Sequence, residues 1–155
     1  MTETDRTPPG VAPERELLDS WLDYYRATIV AKCAGLTPGQ LVERSCPPSP
    51  MSLIGLVRHL VEMERVYAHR LAEPGLPELY CTDADPEGDF DVTPATVADD
   101  LRIHAEHCAR SREIMTALPL DDRVRWRYLY LAKEYARHCG HADLLRERID
   151  GQAGE

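Results

Sequence analysis

Glu134-Tyr135-Ala136-Arg137-His138-Cys139-Gly140-His141 lies inside a run, Asp122 to Ile149, that otherwise reads as a core-facing amphipathic helix. At about 100° per residue, Glu134, His138 and His141 fall within roughly 60° of one another. Tyr130, Leu131, Leu145 and Ile149 lie on or beside the same stripe. A carboxylate and two imidazoles thus interrupt an apolar face. Buried charge without a partner is costly, and a metal ion is the economical partner. Glu134 and His138, at i and i+4, point the same way one turn apart, as two ligands of one ion require.

Three further helical runs precede this one. Pro13 to Ala34 carries Leu18, Trp21, Leu22, Tyr25, Ile29 and Cys33 at helical spacing, with Gly35 to close it. Thr37-Pro38-Gly39-Gln40 resembles a capping box that starts a short extra turn through Arg44. Ser52 to Ala72 carries the stripe Leu53, Leu56, Leu60, Met63 and Tyr67. Thr93 as cap and Pro94 at the first position open a run to Ala117, ended by Pro119. No segment alternates with the period of a strand. The prediction is an all-α four-helix bundle occupying residues 13–155 as one domain, behind a disordered lead-in over 1–12. The acidic stretch Glu78 to Val92 is a long crossover between the second and third helices.

The chain has 155 residues, is 43% hydrophobic and carries a formal net charge of −9. That charge argues against nucleic acid or an anionic membrane as partner. No apolar run is long enough to span a bilayer, and the N-terminus lacks the pattern of a signal peptide. Five scattered cysteines, without a C-x-x-C pair, read as reduced thiols of a cytoplasmic protein. Lysine occurs only at Lys32 and Lys133 among the 18 basic residues, a usage typical of GC-rich genomes.

His59 sits beside Leu56, Leu60 and Met63, roughly 80° from the centre of its stripe. Alone it reads as a boundary residue. It does not stand alone, because the fourth helix carries an inward Glu-x-x-x-His, and bundles build metal sites from facing helices. His104 and Cys108 form a weaker pair on the third helix, where His104 is expected to be a buried polar residue. His69 falls on the polar side and is expected in solvent. Cys139 points about 140° from Glu134, towards another element rather than the ligand stripe. Arg137 lies at the edge of that stripe, either anchoring an anionic substrate or forming a surface ion pair. The acidic crossover does not have the spacing of an EF-hand. It reads as solvated, with Phe90 as its packing anchor.

The segment Glu134 to Gly151 resembles the last helix of the DinB/YfiT-like superfamily, and more narrowly the actinobacterial branch called mini-circle proteins. Leu53 to Arg65, with Arg58-His59-Leu60, resembles that family's second helix. The resemblance covers nearly the whole chain from Glu14. Many members carry H-x-x-x-H-R-G-Q here. His138-Cys139-Gly140-His141 falls on its last four places, with His138 and Gly140 matching. Glu134 takes the place of the first His and His141 that of the Gln. The related mycothiol-dependent maleylpyruvate isomerases also have Glu there. The metal set implied by the resemblance is His59, Glu134 and His138. Two His and one Glu form one of the open catalytic zinc sets, although nickel or ferrous iron also suits these ligands. His141 is left as a fourth ligand, a hydrogen-bond donor behind the ligands or a general base, or else as a residue that only hydrogen-bonds to Glu134 or a neighbouring helix.

The resemblance implies thiol chemistry on a small-molecule substrate: a metal-activated low-molecular-weight thiol, mycothiol or bacillithiol, attacking an electrophilic carbon. The GC-rich usage, read with the resemblance, favours an actinobacterial source and mycothiol. A metal-dependent small-molecule hydrolase and a non-catalytic metal-binding stress protein are the alternatives. The chain ends soon after the fourth helix, so the isomerases' further domain is not expected. Oligomeric state is open, with a homodimer as the candidate assembly.

Overall fold

The computed structural model describes residues 7–154. Residues 1–6 of the expected lead-in lie outside that range. Among the described residues all regular structure is helical. The elements are α1 (Glu14–Ala31), the single turn α2 (Pro38–Leu41), α3 (Leu53–Tyr67), α4 (Val97–Ala117) and α5 (Asp122–Asp150). Two 3-10 turns, His69–Leu71 and Gly88–Phe90, lie between α3 and α4. The expected all-α bundle is present, and the four long helices are its body.

Side-chain pairs fix the directions. α1 and α5 run parallel: Glu14 meets Arg125 at 2.6 Å, Asp19 meets Tyr128 at 2.6 Å and Lys32 meets Asp143 at 2.7 Å. α3 and α4 are also parallel, through Arg58 with Asp100 and Glu64 with Cys108. α3 runs against α5, since Tyr67 stacks near Tyr130 while His59 lies at His138. Consecutive parallel helices need a connection that returns along the bundle. This is why the segment between α3 and α4 is long, and why its end comes back beside the start of α3.

Local boundaries follow capping chemistry. Thr37 and Gln40 form the full capping box at α2. Ser52 caps α3, and Asp121 caps α5 through the Val124 amide. Four expected boundaries move: α2 ends at Leu41 rather than Arg44, and three others shift as follows. α1 stops at Ala31 because the next turn tightens, Cys33 and Ala34 bonding three residues back. Arg146 then takes the carbonyls of Lys32 and Ala34. α3 ends at Tyr67 rather than Ala72 and passes into the 3-10 turn. The register changes there, which carries His69 inside against expectation. Its Nε2 lies 3.0 Å from the His107 carbonyl and its ring stacks on His107. α4 begins at Val97 rather than Pro94, because Arg58 holds the preceding turn through the Asp91 carbonyl and Thr96 Oγ1.

Leu22, Ile29, Leu53, Leu56, Leu60, Met115, Leu131 and Leu145 fill the core. A polar cluster lies among them. Glu64 is wholly buried and takes both Nε and Nη2 of Arg26 at 2.8 Å, with Tyr135 Oη donating at 2.8 Å. His104 Nε2 lies 3.0 Å from Tyr135 Oη, so His104 is the buried polar residue anticipated and not a metal ligand. Burial alone would raise the Glu64 carboxyl. The Arg26 charge, with the hydrogen bonds from Arg26 and Tyr135, outweighs burial and brings it from 4.5 down to about 2.

Removing one partner leaves the other buried and incompletely paired. Glu64→Gln is expected to cost about 3–5 kcal/mol in urea unfolding. A folded-state value below the unfolded one contributes stability that is complete above pH 4.5 and lost as pH falls towards 2. That part of the acid slope should vanish in Glu64→Gln. An unchanged urea midpoint and acid slope would remove Glu64 from its keystone position.

Candidate metal centre

α3 supplies His59 and α5 supplies Glu134 and His138. Their ligand atoms all lie within 4.8 Å of one another. Glu134 Oε2 is 3.5 Å from His138 Nε2 and 4.0 Å from His59 Nε2. The two rings meet edge to face, 4.6 Å between centroids. Ligands about 2.0–2.2 Å from a zinc ion stand about 3.4 Å apart on a tetrahedron. The closer pair already has that spacing, and the wider one closes with a small movement of the half-buried His59 ring. The donor set therefore fits a dication of zinc size.

Hydrogen bonds behind the rings decide which nitrogens are free. His59 Nδ1 lies 2.9 Å from Asp89 Oδ2. A carboxylate only accepts, so Nδ1 carries the hydrogen and Nε2 is the bare nitrogen facing Glu134. His138 Nδ1 lies 3.2 Å from His141 Nδ1. With that hydrogen on His138, its Nε2 is bare as well, and His141 Nδ1 accepts. Burial and the neighbouring imidazoles bring His138 down to about 4, so it is unprotonated at neutral pH. Burial opposes the charge on Glu134, but Lys133 outweighs it and holds the carboxyl below its ordinary value. Lys133 Nζ donates to Glu134 Oε1, leaving Oε2 for the imidazoles.

Phe90 stacks along His59 with centroids 6.0 Å apart. It reaches so close because residue 55 is glycine; a Cβ there would lie 2.8 Å from Phe90 Cδ1. Phe90 is the anchor the sequence indicated. Its neighbour Asp89 is not the solvated acid expected, being 3% exposed and bonded to His59. Asp89 and Lys133 escaped the sequence reading. Lys133 immediately precedes Glu134 on α5, a signal the sequence carries. Nothing in the order of the loop's acids singles out Asp89.

His141 is brought against His138 but does not belong to the converging trio. Arg137 is exposed and takes part in no side-chain hydrogen bond or ion pair among the described residues; its charge acts on His138. Cys139 packs against α1, its Sγ 3.7 Å from the Tyr25 carbonyl, as its angle on the helix required.

No helix among the described residues is long and apolar enough to cross a membrane. Nothing among curated proteins or solved structures matches the chain. The family model described as mycothiol-S-transferase matches residues 17–151. That stretch runs from the first turn of α1 past the end of α5, and the protein belongs to the mycothiol S-transferase family.

Proposed function

We propose that this protein is a metal-dependent thiol S-transferase in which His59, Glu134 and His138 hold a divalent ion, zinc in preference to nickel or iron, and mycothiol supplies the thiol. The observation that carries the reading is the convergence of two imidazoles on one carboxylate oxygen, each ring with a hydrogen-bond partner behind it. Metal-ligating histidines are oriented in this way. A dication held there supplies Lewis acidity, so that a bound thiol, ordinarily with a pKa near 8.5, is deprotonated outright at neutral pH.

The chain's own residues do the rest. Asp89 holds the hydrogen on His59 Nδ1, and His141 accepts the one on His138 Nδ1. Lys133 neutralises Glu134 Oε1 and keeps its carboxylate turned. Arg137, exposed one residue before His138, is available to an anionic group on the electrophile. In the transfer the thiol sulfur bonds to the electrophilic carbon. The leaving group departs with its bonding pair, and the thiol proton passes to water. The protein's buried cysteines are poor nucleophiles, because burial pushes Cys33, Cys108 and Cys139 up to about 12. Cys81, on the crossover beside His59, is likewise pushed up by burial, to about 11, so the cosubstrate is the better nucleophile. The site of action would be the cytoplasm, where such thiols are kept reduced.

Mycothiol and a haloarene should give a conjugate at neutral pH, and a chelator should abolish the catalysed rate. His59→Ala and His138→Ala should lose metal by elemental analysis, whereas Cys139→Ala should keep both metal and turnover. Turnover that survives chelation and disappears in Cys139→Ala would reverse the mechanism. Metal-dependent ester or amide cleavage without thiol would make the protein a hydrolase instead.

Asp89→Ala should weaken metal binding by about 10- to 100-fold, the usual effect of losing the partner behind a ligating histidine. Competition against a chromogenic chelator measures it. Unchanged affinity would mean that His59 is oriented without Asp89.

A further inference from the structure

The two sides of the candidate metal centre carry opposite charge. The crossover beside His59 is acidic, whereas α5 is basic where it passes Glu134. By the helical repeat Arg123, Arg127, Arg137 and Arg148 lie within roughly 60° of Glu134. The other acids of α5, Asp122, Asp143, Glu147 and Asp150, stand about 120° or more away. The remaining arginines of the helix turn aside and are paired, Arg125 with Glu14 and Arg146 with Asp150. None of the four on the ligand side makes a side-chain hydrogen bond or ion pair among the described residues. The chain has 27 acidic residues for 18 basic ones, yet this stripe is left for an anion from outside.

Arg127 alone of the four is set against aromatic rings among the described residues. It lies almost straight along α5 from Glu134, about 10 Å away on the axis. Its Cζ stands 5.0 Å over the Trp126 ring and 5.6 Å over that of Tyr67. Tyr67 and Tyr130 close the seam between α3 and α5, their centroids 3.9 Å apart, and Trp126 stacks on Tyr130 at 5.0 Å. Lys133 Nζ sits 3.8 Å from the Tyr130 centroid and donates to Glu134 Oε1. One side chain thus joins the aromatic group to the ligand carboxylate. Trp126 is nonetheless 49% exposed. Arg127 Nε is covered and without an acceptor, so the Nη end is the one that can receive an anion. A half-exposed indole beside an unpaired guanidinium suits a flat ring that bears a negative charge.

We propose that the electrophile of this site is an anionic aromatic compound, its ring seated on Trp126 and Tyr130 and its carboxylate or sulfonate on Arg127, with the electrophilic carbon directed along α5 to Glu134. This rests on the transferase reading above and names the class of its second substrate. The anion falls to Arg127 rather than Arg137 because the rings lie on the Arg127 side of Glu134.

A ring that cannot react tests the seat apart from the transfer. Dinitrobenzoate has no leaving group, and dinitrobenzamide is its uncharged counterpart. Calorimetric titration of the full chain with its metal should show the benzoate binding about tenfold more tightly than the amide, the scale of one charge-assisted hydrogen bond. Arg127→Gln should remove that preference, and Arg127→Lys should restore part of it. Circular dichroism checks both folds. Binding of the benzoate should also quench tryptophan fluorescence saturably, and the saturable part should be absent in Trp126→Phe. That measurement decides the matter if Arg127→Gln does not fold. A preference that survives in Arg127→Gln places the anion on the metal and overturns the seat. So does a preference lost in Arg137→Gln instead, equal affinity for the two rings, or saturable quenching that persists in Trp126→Phe. With mycothiol, chlorodinitrobenzoate should be conjugated at a KM about tenfold below that of chlorodinitrobenzamide, sulfur bonding to the ring carbon as chloride leaves with its bonding pair. Conjugation of both at equal KM keeps the transferase reading and rejects the seat. Binding as expected without any conjugation rejects the transferase reading and keeps the anionic aromatic seat.

Discussion

The bond between Tyr135 and Glu64 sets the rest of the arrangement. Glu64 on α3 is wholly buried and charged, so it requires donors. Arg26 reaches it from α1 and Tyr135 from α5, and Cys108 of α4 lies alongside. Four helices thereby share one anchored charge. With Tyr135 Oη pinned, α5 cannot turn about its axis. Glu134 lies about 100° round from Tyr135 and His138 about 60° on the same side. Both therefore face the middle of α3, where His59 stands.

Two buried polar groups on α5 have different fates for this reason. The cluster around Glu64 is closed: Arg26 and Tyr135 satisfy it within the protein. The group around Glu134 is left open. Lys133 takes one oxygen, and the other meets two bare imidazole nitrogens that have no hydrogens to give. A structural network supplies its own donors. A site for a cation presents acceptors that converge, which is the pattern at His59, Glu134 and His138.

The parallel course of α3 and α4 adds a second constraint. The connection must travel back along the bundle, and it arrives beside His59. Gly88 allows it to fold closely, since a Cβ there would lie 2.3 Å from the Tyr80 carbonyl. The 3-10 turn Gly88–Phe90 then delivers Asp89 to the Nδ1 of His59 and Phe90 to its ring face. A segment required by topology so becomes one wall of the candidate metal centre.

The sequence alone determined the helices, the long crossover and the register of Glu134, His138 and His141 on one face. These depend on periodicities and caps within a few residues of each other, so local spacing suffices. Cys139 could be excluded from the ligand stripe on the same grounds. The resemblance brought in His59 from another helix. Tertiary structure decided what depends on where distant segments meet: that Asp89, among many acids of one loop, is the one behind His59; that His59, and not His141, converges with Glu134 and His138; and that His69 lies inside. In each case the deciding contact joins segments whose relative placement is set by the crossover or by the anchoring of Tyr135. A helical repeat carries no information about that placement.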